Sequence, residues 1–267
     1  MPFRKKKSTT RALRIFFATD VHGSDRCFRK FVNAAAAYDA DVLLLGGDVA
    51  GKGLVPLRTH DGVISAEVRG ERVEVPVAEE ERLRSEINML GFYPVEIDEV
   101  LAGNERVECP ERDLYDLGPA VLASIGDVTP TPWDTEREYP EEELAERIAA
   151  MMDRVEPGRA SVCNFHNPPY NSGLDTAPEL DANLKPVLHG GRPSFIPVGS
   201  RAVRDAIKRY QPTVGLHGHI HESRGAQKIG RSLCLNPGSE YSADVLRGAI
   251  VDLAGDGSCM DFLLTAG

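Results

Sequence analysis

The chain is predicted to be an α/β protein. Short apolar runs of strand length alternate with amphipathic helical stretches, the runs show little internal alternation, and His or Asp recurs directly after them. Ala12–Thr19 is the first such run. Ser24 can cap the helix that follows, in which Cys27, Phe28, Phe31, Val32 and Ala35 share one face. Asp41–Gly46 is the second run, and the three pieces form a βαβ unit. Residues 62–77 alternate about Arg69-Gly70 as a hairpin does. Glu79–Leu90 is a charged helix with Leu83, Ile87 and Leu90 on one side. Residues 91–118 hold short helical and extended pieces without a clear core strand. Further strands are expected at Ala120–Ile125, Ala160–Phe165, Thr213–His217, Leu233–Leu235, Gly248–Leu253 and Cys259–Leu263. Helices are expected at Glu141–Met152 and, capped by Ser200, at Arg201–Tyr210. Residues 167–199, rich in Pro, Gly and Asn, read as a long loop, either an ordered surface loop or one whose Tyr170, Asn171, Asp175 and Arg192 line a substrate entrance. Residues 1–10 form a basic arm, and 11–267 a single domain without a linker.

Composition narrows the function. The 267 residues include 31 Lys and Arg against 41 Asp and Glu, a net charge of −10. Such a chain repels nucleic acid backbones and acidic membranes as a whole, so an anionic substrate needs local positive charge, for which bound metal is the natural source. No apolar run reaches the roughly 18–20 residues of a membrane span. The N-terminus has no apolar stretch behind its basic residues, and the five scattered cysteines include no CxxC, so a cytoplasmic location with reduced thiols is expected.

The chemistry collects at the strand ends. Asp20-Val21-His22 follows the first run, Gly47-Asp48 the second, His166 the strand 160–165, and Gly218-His219-Ile220-His221 the strand 213–217. In open α/β sheets ligands bind outside the carboxyl ends of strands. Imidazole and carboxylate together suit Mn²⁺, Fe and Zn²⁺. The two oxygens of one carboxylate, Asp48, can bridge two ions about 3.5–4 Å apart. Gly46–Gly53 nearly fits a phosphate-binding P-loop. It lacks the final Ser or Thr, and Asp48 would point negative charge at the phosphates. His217 is expected to pack behind the site, and His60 and His189 to lie in solvated loops.

These motifs, in this order, resemble those of the calcineurin-like metallophosphoesterase family: D-x-H, G-D, G-N-[HD], H and G-H-x-H. Asn236-Pro237-Gly238-Ser239 is similar to the turn that often follows the last of them, and the resemblance spans about residues 12–253. It implies two packed mixed sheets flanked by helices, a four-layer sandwich. It also implies one ion on Asp20, His22, Asp48 and His221 and another on Asp48, His166, His219 and the Asn of the third motif. That third motif is the departure. Gly103-Asn104-Glu105 is the only Gly-Asn between Asp48 and His166, and the preceding Val95–Leu101 reads as a helix rather than a strand. The sheet is therefore expected to lack one core strand, and the second ion to be weakly held unless Asn104 serves. The family's acid beside the leaving group has no counterpart here. The implied activity is hydrolysis of a phosphomonoester or phosphodiester, in a phosphorylated small molecule or nucleotide, by a hydroxide bridging the two ions. The alternative is a non-catalytic interaction protein that keeps the scaffold with a degraded site.

Overall fold

Arg11–Ala18 (β1) is almost wholly apolar and pairs on both sides. It runs antiparallel to Arg247–Ala254 (β17) and parallel to Val42–Leu45 (β2), and β17 pairs antiparallel with Cys259–Ala266 (β18). The order of this mixed sheet is β18-β17-β1-β2, so among the described residues β2 has a partner on one side only. The computed structural model describes residues 10–49, 54–60, 62–68, 71–89, 93–96, 108, 110–133, 135 and 137–267. They fall into two compact units, one lying within the bounds 1–49 and 110–267 and one within the bounds 50–109.

In the larger unit a second mixed sheet has six strands in the order β15-β16-β14-β9-β8-β7. They are Gly225–Ile229 (β15), Ser232–Asn236 (β16), Val214–Leu216 (β14), Ser161–Phe165 (β9), Val121–Ile125 (β8) and Asp113–Asp116 (β7). Its central strands β8, β9, β14 and β16 run parallel with both faces covered, which explains their largely apolar composition. The two sheets pack face to face. Leu13, Ile15, Phe17, Val251 and Leu253 of the first meet Leu122, Val162, Val214, Leu216 and Leu235 of the second in one buried cluster.

The outer faces are covered by helices. Asp25–Tyr38 (α1) packs Cys27, Phe31 and Ala34 against Phe16, Ala18 and Ile250. Glu141–Met152 (α3) and Arg201–Tyr210 (α4) cover the second sheet through Leu144, Ile148, Met151, Val203 and Ile207. The order helix, sheet, sheet, helices is the predicted four-layer sandwich. Ser24 caps α1 by accepting from the Cys27 amide, and Ser200 caps α4 by accepting from the Val203 amide. The expected apolar face of α1 is corrected: Phe28 is 43% and Val32 50% exposed, because the buried stripe follows Cys27, Phe31 and Ala34.

The smaller unit has its own core. Leu54–His60 (β3), Val63–Val68 (β4), Glu71–Pro76 (β5) and Tyr93–Glu96 (β6) form a sheet ordered β5-β4-β3-β6, with β4 and β5 the predicted hairpin. Leu83 and Ile87 of Glu80–Met89 (α2) pack onto Val55, Leu57, Ile64 and Val75. Residues 167–199 are less irregular than expected. Thr176–Pro178 (β10) pairs with Phe195–Pro197 (β13), and Leu188–His189 (β11) with Arg192–Pro193 (β12).

Candidate metal centre

The parallel strands β1 and β2 end at the same edge, and the turns beyond them are joined by backbone hydrogen bonds. The Asp20 amide donates to Gly47 O at 3.1 Å and the His22 amide to Asp48 O at 2.9 Å. In the second sheet β9 and β14 are parallel neighbours, so His166 and the Gly218–His221 turn also leave side by side, with the Gly218 amide donating to His166 O at 2.9 Å. The two edges meet at Asp20. Its carboxylate accepts from the His219 amide at 3.2 and 3.1 Å, and its carbonyl accepts from the Ser239 hydroxyl at 2.7 Å.

Two features of the motifs follow from this crowding. A Cβ on Gly47 would stand 2.5 Å from His166 Nδ1, and one on Gly218 would stand 2.4 Å from Asp20 Oδ2. The glycines leave room for the neighbouring donors. Four of the six candidates adopt left-handed backbone: Asp20 (φ 52°), His22 (44°), Asp48 (42°) and His219 (64°). Such angles are uncommon outside glycine, and they concentrate at sites where structure is held against local preference.

All six predicted ligands converge in two groups. Asp20, His22 and His221 form one, and Asp48, His166 and His219 the other, with the donor atoms of each group within 4.8 Å of one another. His22 Nε2 and His221 Nε2 stand 3.1 Å apart. Asp48 Oδ2 lies 3.7 Å from His22 Nε2 and 3.6 Å from His166 Nε2, within reach of an imidazole of each group. Asp20 and His166 are 1% and 2% exposed.

The electrostatics hold both carboxylates ionised. For Asp20, burial favours the neutral acid, but His166 and His221 outweigh it and keep the carboxyl below its usual range. For Asp48, burial is again overcome, here by His166, His22 and His219. The imidazoles divide. Burial, reinforced by His166, pushes His219 down to about 4. His166 and His221 are raised despite burial, His166 by Asp20 and Asp48, His221 chiefly by Asp20.

The donor set fits metal cations. Imidazole nitrogen and carboxylate oxygen are the ligands that Mn, Fe and Zn share. His166 Nε2 is buried at the centre of the cluster without a hydrogen-bond partner, which is costly for a polar atom unless something binds it.

The surroundings add residues that the sequence did not single out. Tyr241 packs its ring 4.6 Å from that of His22 and 5.8 Å from that of His221. Thr19 Oγ1 lies 3.5 Å from His166 Nδ1. Only their positions, directly before Asp20 and just after the 236–239 turn, could have flagged them. Asn236 ties that turn down, donating from Nδ2 to Leu174 O at 3.1 Å and Ile220 O at 3.0 Å. His217 is fully buried behind the site, as expected. Its Nδ1 lies 2.8 Å from the Phe165 carbonyl, one residue before His166, and burial pushes its pKa down to about 4.

Other expectations fare differently. Asp175 does not line an entrance. It is buried and holds its own loop, accepting from the amides of Asn171 at 2.7 Å, Ser172 at 3.0 Å and Gly199 at 3.0 Å. Tyr170 lies under the Arg201 guanidinium, 4.6 Å away. His60 and His189 are exposed in strands β3 and β11 rather than in loops. Gly103-Asn104 lies outside the described residues.

A second polar cluster stands beside the first. Asp127, beyond the end of β8, is fully buried and surrounded by three guanidiniums. Arg112 binds it through two nitrogens at 3.0 and 2.8 Å, and Arg137 and Arg147 reach it at 3.3 Å. Glu111 pairs with Arg137, and Glu143 with Arg147.

No family model matches the chain. Uncharacterized protein MJ1162 of Methanocaldococcus jannaschii is 26% identical over 239 residues, covering 84% of this chain and 88% of that protein. Among solved structures, TT1561 of Thermus thermophilus matches with a TM-score of 0.52 at 17% identity, covering 97% of this chain and 99% of the other. YfcE, a phosphoesterase from E. coli, matches with a TM-score of 0.33 at 14% identity, over 94% of this chain and 98% of its own. The likeness to TT1561 is one of fold.

Proposed function

We propose that this chain is a calcineurin-like metallophosphoesterase, cytoplasmic, that hydrolyses phosphomonoester or phosphodiester bonds in a phosphorylated small molecule or nucleotide. The observation that carries the reading is the convergence of Asp20, His22 and His221 beside Asp48, His166 and His219, with Asp48 Oδ2 within 3.7 Å of imidazoles in both groups. These six residues would hold two divalent or trivalent ions of Mn, Fe or Zn. Bound there, the ions would supply Lewis acidity for the phosphoryl oxygens and lower the pKa of water toward neutrality.

The protein's own part is electrostatic and positional. Asp20 and Asp48 remain ionised, so they offset the cations' charge at neutral pH. His219, neutral well above its pKa of about 4, keeps a lone pair free for coordination. The backbone bonds between the turns after β1 and β2 hold Asp20 and Asp48 in register. No side chain is needed as nucleophile.

The test is turnover of p-nitrophenyl phosphate and of bis(p-nitrophenyl) phosphate with added Mn²⁺, in the wild type and in Asp48→Asn. Metal-dependent turnover is expected, and its preference between the two esters identifies the bond cleaved. Since groups that merely orient a ligand are worth about 10–100-fold, Asp48→Asn should lower turnover by at least about a hundredfold. Unchanged activity and metal content in that variant would defeat the assignment. Two bound ions without turnover of either ester would favour the non-catalytic scaffold instead.

A further inference from the structure

The bridging role assigned by motif resemblance falls on Asp48 alone, with Asp20 serving one ion. The geometry points to a different division: we infer that Asp20 is a second shared carboxylate, in contact with both ions. The inference rests on the two-ion reading above.

The distances carry it. With metal–ligand bonds of about 2.0–2.2 Å, two donors on one ion stand at most about 4.4 Å apart. Asp20 Oδ1 lies 3.3 Å from His221 Nε2 and 3.9 Å from His22 Nε2, both of its own group. It also lies 3.6 Å from His166 Nε2, in the other group. That matches the 3.6 Å between His166 Nε2 and Asp48 Oδ2, the expected bridge. By this criterion Asp20 reaches both groups as well as Asp48 does.

The carboxylate is also held in that place. Asp20 is 1% exposed, and both its oxygens accept from the His219 amide, at 3.2 and 3.1 Å. Its backbone is fixed between Gly47 O, which accepts from its amide at 3.1 Å, and the Ser239 hydroxyl, which donates to its carbonyl at 2.7 Å. Gly218 has no Cβ to displace it: one there would stand 2.4 Å from Oδ2. A carboxylate fixed from three sides, with one oxygen facing imidazoles of both groups, can complete the coordination of the second ion, for which the sequence offers no clear third-motif Asn. His166 Nε2, buried without a hydrogen-bond partner, is the nitrogen that would share that ion with it.

The experiment compares metal counts, not rates. Wild type, Asp20→Asn and His22→Gln are each dialysed against Mn²⁺ and the bound ion counted by elemental analysis, with circular dichroism confirming the fold. Wild type is expected to hold two ions, His22→Gln one, and Asp20→Asn fewer than one. If Asp20→Asn retains one ion as His22→Gln does, Asp20 serves a single ion and the inference is overturned. A wild type that binds no ion overturns the two-ion reading itself, and this inference with it. Asp20→Ala, read by the same counts, replaces Asp20→Asn if the latter fails to fold.

Discussion

The candidate metal centre and the Asp127 cluster are both built around carboxylates beyond the ends of strands, yet they are opposites in hydrogen bonding. Asp127 has three guanidiniums on its two oxygens, and two of those arginines have carboxylates of their own in Glu111 and Glu143. Three cations meet three anions and the charges close. At the candidate metal centre two carboxylates stand among four imidazoles, and His166 Nε2 has no hydrogen-bond partner, its nearest carboxylate oxygens standing 3.6 Å away. The contrast separates a polar cluster closed on itself from one that is a candidate for binding cations. Burial and charge are common to both, and unmet valence belongs to one.

The comparison can be broken by removing one carboxylate from each. The largest effect is expected from Asp48→Asn, with turnover down at least about a hundredfold. Asp127→Ala should act the other way, leaving metal content intact while lowering stability. Breaking a buried pair costs about 3–5 kcal/mol, and the partial exposure of the arginines reduces this to roughly 2–3 kcal/mol, read by urea denaturation. A drop in bound metal instead would mean that the two clusters are one. His217→Gln tests a residue that touches the site only through the backbone beside His166; metal affinity should fall about tenfold, measured by competition with a chelator, with the unfolding midpoint of the metal-free protein changed much less. The smallest effect belongs to the Arg14–Asp252 pair at 2.7 Å, remote from both clusters. The Arg14 hydrogen bond holds the Asp252 carboxyl below its usual range, so the contribution is present above the unfolded pKa of about 3.9 and disappears as pH falls through the folded value. Asp252→Asn should cost up to about 1 kcal/mol at pH 7 and progressively less in acid.

Much of this was legible in the residues. Strands β1, β8, β9, β14 and β17 are mostly buried and β2 is partly so, which gives them largely apolar runs, and the six candidate ligands follow four of these runs directly. What escaped was built from weaker signals. Strand β7 is Asp-Leu-Tyr-Asp at a sheet edge with three exposed residues, and β15 is half exposed with Gln227 and Lys228 outward, so neither has an apolar run to betray it. Strand β3 contains Pro56, which counts against a strand in the middle of a sheet. The arginines around Asp127 come from positions 112, 137 and 147, and nothing in their spacing predicts a common target. Phe28 and Val32 misled because apolar residues on a helix need not all face its partner.

The left-handed conformations of Asp20, His22, Asp48 and His219 have a consequence for what this sequence can become. Each costs on the order of 1 kcal/mol that glycine would not incur. A search for thermostability alone, blind to ion binding, would therefore tend to overwrite these very positions. Its most robust products would keep the sandwich and lose the candidate site.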